Sequence, residues 1–373
     1  MPGPLAARKA VHSMTFTGLN RRELLLALAA GGSALLGGGA AGAPGGPAPV
    51  RTRMGIVTYA LGIHQRNRWE GRHQGLAPAL AFLEECRILG AGGIQFQFGP
   101  QDLPHAAEVR RRAEAYQMHV EAIIDPPAGD SVLEQFEQKV KAAKEAGAAV
   151  ARTVILPGRR YEQFKTLAEF REYEARGIRS LQRAEPVLSR QDFRLAVENH
   201  KDQVISEKLD MLKRLGSERI GLCVDVGNNF ALMEDPLEAV RAFAPWAFTV
   251  HLKDQAVADC PEGFLLSDAA LGEGFLDLPA MVEILRKAKP EVKFNLETIT
   301  RDAIKLPVLT DGFWASLPHA RAPALARAAG IIKSRPHAQP PAAVSRLPVE
   351  EQLRMERRNV EQSIAYAREH LGL

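Results

Sequence analysis

From residue 54 onward, two kinds of apolar pattern take turns along the chain. Short runs without a helical period, MGIVTY (54–59), GIQFQF (93–98), HVEAII (119–124) and RTVIL (152–156), alternate with longer stretches whose apolar positions return every three or four residues. The short runs read as buried parallel strands and the long ones as amphipathic helices. In SVLEQFEQKVKAAKEAG, Val132, Phe136, Val140 and Ala143 mark one helical face and Gly147 marks the stop. Four further runs, near 193–198, 220–225, 247–252 and 292–297, bring the strand count to eight. Eight alternating strand and helix units predict an α/β fold, a (β/α)8 TIM barrel.

The pattern lapses at both ends. Residues 301–348 are rich in Pro, Ala and Arg and show no clear strand, so an irregular excursion is expected there. Within it, TDGFWASLP either covers the mouth of the barrel or packs as a surface loop. PVEEQLRMERRNVEQSIAYAREHLGL returns to a helical period and predicts a closing helix at 349–371, which makes 54–373 one barrel domain. At the other end, NRRELLLALAAGGSALLGGGAAGA places paired arginines before an apolar stretch too short and too glycine-rich to span a bilayer, followed by small residues. It resembles a twin-arginine signal peptide over 1–43, cleaved near Ala43. That resemblance implies export to the periplasm with no stable membrane span after cleavage. PGGPAPVRTR (44–53) is then a linker.

Setting the export segment aside changes the charge picture. The chain carries a formal net charge of +4, but Arg8, Lys9, Arg21 and Arg22 against Glu23 contribute +3 of it and leave +1 on the remainder. No polyanionic partner is implied, and an aromatic content of 6% argues against stacked recognition of single-stranded nucleic acid. Three widely spaced cysteines, Cys86, Cys223 and Cys260, give no disulfide framework, and Cys223 falls inside a core strand as packing.

Four polar residues stand where the later apolar runs end: Glu198 in RLAVENHKD, Asp225 in IGLCVDVGNN, His251 in FTVHLKD and Glu297 in KFNLETIT. Glu198 and Asp225 are 27 residues apart and Asp225 and His251 are 26 apart, about one strand and helix repeat each. The longer step to Glu297 is filled by CPEGFLLSDAALGEGFLDLP. Side chains at the C-terminal ends of neighbouring barrel strands converge on one point. Any one of these acids reads equally well as a helix cap or an ion-pair partner. Three buried carboxylates together are costly unless a cation holds them, so the set outlines a divalent-metal site. Three oxygen donors and one imidazole suit manganese or magnesium better than a structural zinc.

ENH at the first position, DxGN at the second, HLKD at the third and GEGxxD (Gly272, Glu273, Gly274, Asp277) before the last resemble the xylose isomerase-like TIM barrels over roughly 54–300. These include sugar phosphate isomerases/epimerases of the tagatose 3-epimerase kind. The resemblance implies one divalent ion, manganese first with magnesium or cobalt as the other choices, held by Glu198, Asp225, His251 and Glu297, with Glu198 and Glu297 as the acid/base pair. It departs at one place. Where many relatives have Asp-x-x-His, this chain has Asp225-Val226-Gly227-Asn228, and an asparagine exchanges no proton near neutral pH. His200, Lys201, Asn228, Asn229, Lys253 and Arg301 are candidate substrate contacts, and each reads equally as a supporting or surface residue.

The expected function is a sugar isomerase/epimerase that removes a proton beside a carbonyl through a metal-held enediolate. The substrate is expected to be a non-phosphorylated sugar, because no glycine-rich backbone follows strands seven and eight. The alternative is a lyase or dehydratase acting by β-elimination on a keto-glycoside or inosose. A multi-zinc DNA-repair endonuclease lacks its histidine cluster here, and a noncatalytic sugar-binding barrel would not need two opposed glutamates. A homo-oligomer is compatible with the sequence.

Overall fold

The computed structural model describes residues 51–373 except 319, 335, 336, 338, 341 and 342. The predicted export segment 1–43, and the linker up to residue 50, lie outside the described residues. Eight parallel strands close a barrel: β1 (Gly55–Val57), β2 (Gly93–Phe96), β3 (His119–Ile123), β4 (Val150–Thr153), β5 (Arg194–Glu198), β6 (Ile220–Asp225), β7 (Ala247–Leu252) and β10 (Lys293–Leu296). They pair in chain order, and β10 returns to β1 with Gly55 opposite Asn295. β8 (Asp254–Cys260) and β9 (Gly263–Ala269) interrupt the sequence as an antiparallel hairpin, extended by β11 (Ile304–Leu306).

The helices follow the strands they cover. α1 (Gly62–Arg66) and α2 (Pro78–Ile88) succeed β1, α3 (Leu103–Ala115) succeeds β2, and α4 (Leu133–Glu145) succeeds β3. α5 (Arg160–Gln163) and α6 (Leu167–Gln191) follow β4, then α7 (Ile205–Leu215), α8 (Pro236–Phe243) and α9 (Leu278–Ala288) lead into β6, β7 and β10. α10 (Asp311–Trp314), α11 (Arg321–Ser334) and α12 (Val349–His370) complete the chain. Three of the four positions read as one face, Phe136, Val140 and Ala143, pack inward on α4, while Val132 lies in the turn before it and is half-buried. Gly147, at φ 93°, turns the chain in a left-handed conformation that a Cβ would strain. No helix among the described residues is long and apolar enough to cross a membrane.

Three sequence expectations need correction. β4 begins at Val150, two residues before the apolar run RTVIL, because the inward position of this strand is taken by the charged Arg152. Residues 301–348 are not simply irregular: they carry β11, α10 and α11. The alanine-rich stretch RAPALARAAGIIKS has the intrinsic preference for a helix, while the three residues of β11 are too short to show a period. The hairpin β8–β9 lies in the segment expected only to lengthen the step to Glu297. TDGFWASLP packs against α5. Its Phe313 is buried against Tyr161 of α5, ring centroids 4.9 Å apart, and Ser316 O accepts from Arg160 Nη2.

Candidate active site

Glu198 and Asp225 are the last residues of β5 and β6, His251 lies near the end of β7, and Glu297 directly follows β10. These four strands are consecutive in the barrel wall. One ligand atom from each residue lies within 4.8 Å of the others, and no member is more than 4% exposed.

The residues beside them explain how the chain holds this arrangement. Asn199 bridges the ends of β5 and β6: its Nδ2 donates to Asp225 O at 2.8 Å and its Oδ1 accepts from Asp225 N at 2.8 Å. Asp225 Oδ1 accepts from Gly227 N and Asn228 N at 3.0 and 2.9 Å, an Asx turn that fixes one carboxylate oxygen and leaves Oδ2 pointing inward. Asn229, read as a possible substrate contact, is instead occupied by Asn199 and Glu234.

His251 is oriented by a chain of buried polar groups. Its Nε2 lies 2.7 Å from Gln95 Oε1, and Gln95 Nε2 donates to Glu121 Oε2 at 3.0 Å. Glu121 Oε2 also accepts from Thr249 Oγ1 at 2.6 Å and Asn295 Nδ2 at 2.9 Å. Because the amide nitrogen must donate to the carboxylate, the amide oxygen faces the imidazole, so Nε2 carries the proton and Nδ1 presents a lone pair. Nδ1 faces Glu297 Oε1 at 3.3 Å and Glu198 Oε2 at 3.6 Å. Burial disfavours a charged imidazole, but Glu297 and Glu198 outweigh it and raise the His251 pKa.

The donor set fits a divalent cation. His251 Nδ1 and Asp225 Oδ2 are buried without a hydrogen bond, although Lys253 Nζ stands 2.8 Å from Asp225 Oδ2 as an ion pair. Three carboxylates converge, and the field at their centre is one that draws positive charge.

Two buried cations partly balance them. Arg152 meets Glu198 Oε2 through Nε at 2.5 Å and through Nη2, while Asn228 Nδ2 donates to Glu198 Oε1 at 2.8 Å. Burial pushes the Glu198 carboxyl up, but the Arg152 guanidinium overrides it and holds the group at about 2. Lys253 Nζ bridges Asp225 Oδ2 and Glu297 Oε2, the latter at 2.7 Å. Against the effect of burial, Lys253 and His251 keep Glu297 well below the usual carboxylate range. Asp225 moves the other way: burial lifts it to about 6, and Lys253 only partly opposes the shift.

The remaining predicted contacts separate. Lys201 Nζ donates to Asn228 Oδ1 at 2.5 Å, one side chain away from Glu198. His200 turns aside, its Nδ1 3.1 Å from Gly158 O, and burial with Lys201 nearby lowers it to about 3. Arg301 stands at the rim, 39% exposed at its side chain, with Nη2 4.0 Å from Asp268. The GEGxxD segment is structural. Asp254 accepts from the backbone N–H groups of Gly272, Gly274 and Leu276, a Cβ on Gly274 would meet Asp254 Oδ1 at 2.1 Å, and Asp277 caps α9.

Gln95, Glu121 and Arg152 were not singled out from the sequence. Gln95 and Glu121 are polar residues inside apolar strand runs, the same signal that marked the four site residues but not at a run's C-terminal end, and Arg152 opens its run. Cys223 lies close enough to Glu198 and His251 to join a ligand set, yet burial raises its thiol far above the ordinary range, in keeping with neutral packing.

A family model described as xylose isomerase-like TIM barrel matches residues 83–331, well over half of the chain. A 3-oxo-isoapionate decarboxylase of Pectobacterium atrosepticum is 29% identical over 103 residues, 27% of this chain and only 38% of that relative's length. Among solved structures, a D-psicose 3-epimerase crystallised with D-fructose superposes with a TM-score of 0.55 at 13% identity, covering 86% of this chain and 100% of the other. The 3-keto-D-glucoside 4-epimerase of E. coli superposes with a TM-score of 0.50 at 16% identity, covering 75% and 100%. At such identities the superpositions speak for the fold alone. The closed eight-stranded barrel and the family match lead to one assignment: the chain belongs to the xylose isomerase-like TIM barrel family.

Proposed function

We propose that this protein is a divalent-metal-dependent enzyme that removes a proton beside a carbonyl in a carbohydrate-derived substrate, as a sugar isomerase or epimerase. The observation that carries the reading is the convergence of Glu198, Asp225, His251 and Glu297, four buried donors on consecutive strands. These residues would hold the ion, with manganese the best match to three oxygens and one imidazole. When bound, such an ion supplies Lewis acidity that makes the hydrogen between a carbonyl and a hydroxyl-bearing carbon acidic and eases developing negative charge.

The chain's own groups divide the remaining work. Glu198 and Glu297 accept and return the proton from opposite sides. Gln95 fixes the His251 tautomer, Arg152 and Asn228 fix both oxygens of Glu198, and Lys253 orients Glu297 and places a positive charge where an oxyanion develops. Return of the proton to the opposite face of one carbon gives epimerisation. Return to the neighbouring carbon gives aldose–ketose isomerisation.

A second reading, a lyase, is favoured by one observation. Arg152 holds the Glu198 carboxyl far below the range suited to proton transfer near neutrality, and Asn228 supplies no alternative acid. In a β-elimination the electron pair left by proton abstraction beside the ketone expels a substituent as the leaving group, so no proton has to be returned to carbon and less is asked of Glu198. The partial relative, a decarboxylase, breaks a carbon–carbon bond rather than a carbon–oxygen bond and so favours neither reading.

NMR in deuterated water with ketoses, keto-glycosides and inososes separates the two. Deuterium gained without loss of mass supports isomerase or epimerase, and an unsaturated product with a leaving group supports the lyase. Asp225→Ala and His251→Ala should each remove most of the metal without unfolding the barrel. Full metal occupancy in both, by elemental analysis, would sink the centre itself.

A further inference from the structure

Lys201 is the odd cation of this barrel. The residue is 4% exposed, its Nζ donates to the neutral Asn228 Oδ1, and among the described residues no carboxylate stands within ion-pair distance of it. The other buried cations near this end of the barrel all have one: Arg152 has Glu198, Arg160 has Glu207, Lys208 has Asp202, and Lys253 has Asp225 and Glu297. A buried ammonium with one neutral partner is costly, and it persists where something else repays the desolvation. An ammonium carries three donors, so two remain unclaimed. Asn228 hands its other end to Glu198, which places these free donors next to the four-residue centre.

A separate cavity of about 480 Å³, with neither Lys201 nor the four donors in its lining, is lined by Arg66, Arg159, Arg301 and Lys305, and Arg301 follows Glu297 by four residues. Its acidic member, Asp302, is engaged by Ser345 N and Oγ, and Arg66 makes no ion pair among the described residues. Arg159, Arg301 and Lys305 have Glu162, Asp268 and Glu262 as partners, so the rim is cationic without being saturated.

We infer that the substrate is an acid: a sugar acid, or a closely related oxo acid, whose carboxylate seats on Lys201 while its carbonyl end lies at the four-residue centre. The inference rests on the proposed role of that centre only for the position of the carbonyl. One buried cation with two free N–H donors matches the single charge and two oxygens of a carboxylate. A phosphate brings nearly twice the charge and a third acceptor oxygen, and the glycine-rich backbone that cradles it is missing after β7 and β10.

The test is calorimetric titration of the purified protein, manganese-loaded and metal-free, with three six-carbon probes: D-gluconate, D-glucitol and D-glucitol 6-phosphate. Wild type should bind gluconate at least about tenfold more tightly than glucitol in both forms, the scale of one charge-assisted contact. Lys201→Met should abolish that preference with manganese content unchanged, and Lys201→Arg should keep most of it. Because Lys201→Met removes an uncompensated buried charge, the ligand-free variant should also melt at a higher temperature than wild type, the opposite of what a structural lysine would show. Equal binding of gluconate and glucitol by wild type, a preference that survives Lys201→Met, or tighter binding of the phosphate overturns the assignment. The wild-type comparison decides the matter even if the Met variant does not fold. A gluconate preference in the metal-free form that depends on Lys201 stands whether or not the four-residue centre takes an ion.

Discussion

Replacing Gln95 tests how much of the site depends on a residue that touches neither the proposed ion nor the substrate. Gln95→Leu keeps the side-chain volume and removes two bonds, 2.7 Å to His251 and 3.0 Å to Glu121. The His251 Nε2–H is then buried without an acceptor, which costs about 1–3 kcal/mol. Glu121 keeps Thr249 and Asn295 as donors and loses a bond worth about 1.5 kcal/mol, since the acceptor is charged. A loss of about 3 kcal/mol against a total of about 5–15 kcal/mol leaves the protein folded but with a lower thermal midpoint. The larger consequence is chemical. Released from Gln95, the imidazole can carry its proton on Nδ1, which faces Glu297 and Glu198, and so lose the lone pair. Manganese affinity should fall about 10–100-fold, or about 1.4–2.8 kcal/mol, measured by chelator competition near neutral pH. An affinity within about threefold of wild type, under 1 kcal/mol, would refute the idea that Gln95 sets the His251 tautomer.

Glu198→Gln and Glu297→Gln keep a carbonyl oxygen for coordination but cannot take a proton, so both should retain part of the metal and lose turnover. Wild-type turnover in both would remove the acid/base scheme, while one severe and one mild loss would favour the lyase. Arg152→Leu leaves Glu198 to the effect of burial, so its pKa should climb from about 2 to above the ordinary 4.5. Because a depressed carboxylate stabilises the fold above its unfolded pKa and loses that contribution as pH falls through the folded value, the variant should be less stable at neutral pH by about 3–5 kcal/mol. The acid limb of its metal binding should also move to higher pH, and an unmoved limb in a manganese titration series would argue that Arg152 does not control Glu198. Outside the described residues, Arg21→Lys with Arg22→Lys should leave precursor in the cytoplasm, and unchanged periplasmic export would show that the paired arginines are no signal.

Glu198, Asp225, His251 and Glu297 were legible because each interrupts an apolar strand run at or near its end, at steps set by the strand and helix repeat. Glu121 interrupts a run and Arg152 opens one, but a polar residue away from a strand's C-terminal end has meaning only once its partner is known, and theirs come from other strands: Thr249 and Asn295 for Glu121, Glu198 for Arg152. The GEG segment entered only as part of a family resemblance, whereas the causes of its glycines are steric: a Cβ on Gly274 would meet Asp254, 20 residues earlier, and Gly272 sits at φ 89° against Tyr366. Lys201 and His200 were equal candidates in sequence. Only the fold shows that one meets a polar centre and the other turns to a backbone carbonyl. The hairpin β8–β9 escaped because its strands carry both polar and apolar residues on faces that alternation alone does not distinguish.

The cluster around Glu121 also bears on how this chain can be divided. Its carboxylate is served by β2, β7 and β10, with Thr249 and Asn295 arriving from 128 and 174 residues away. A cut between β4 and β5 would give an N-terminal half whose central acid lacks two of its three donors, and a C-terminal half whose donors lack the acid. Neither fragment could close its interior alone, and the barrel wins this buried polar network only when distant segments have met. The protein should therefore resist the half-barrel dissection that repeated βα units invite, refold slowly for its size, and regain metal binding from two separately expressed halves only when they are mixed.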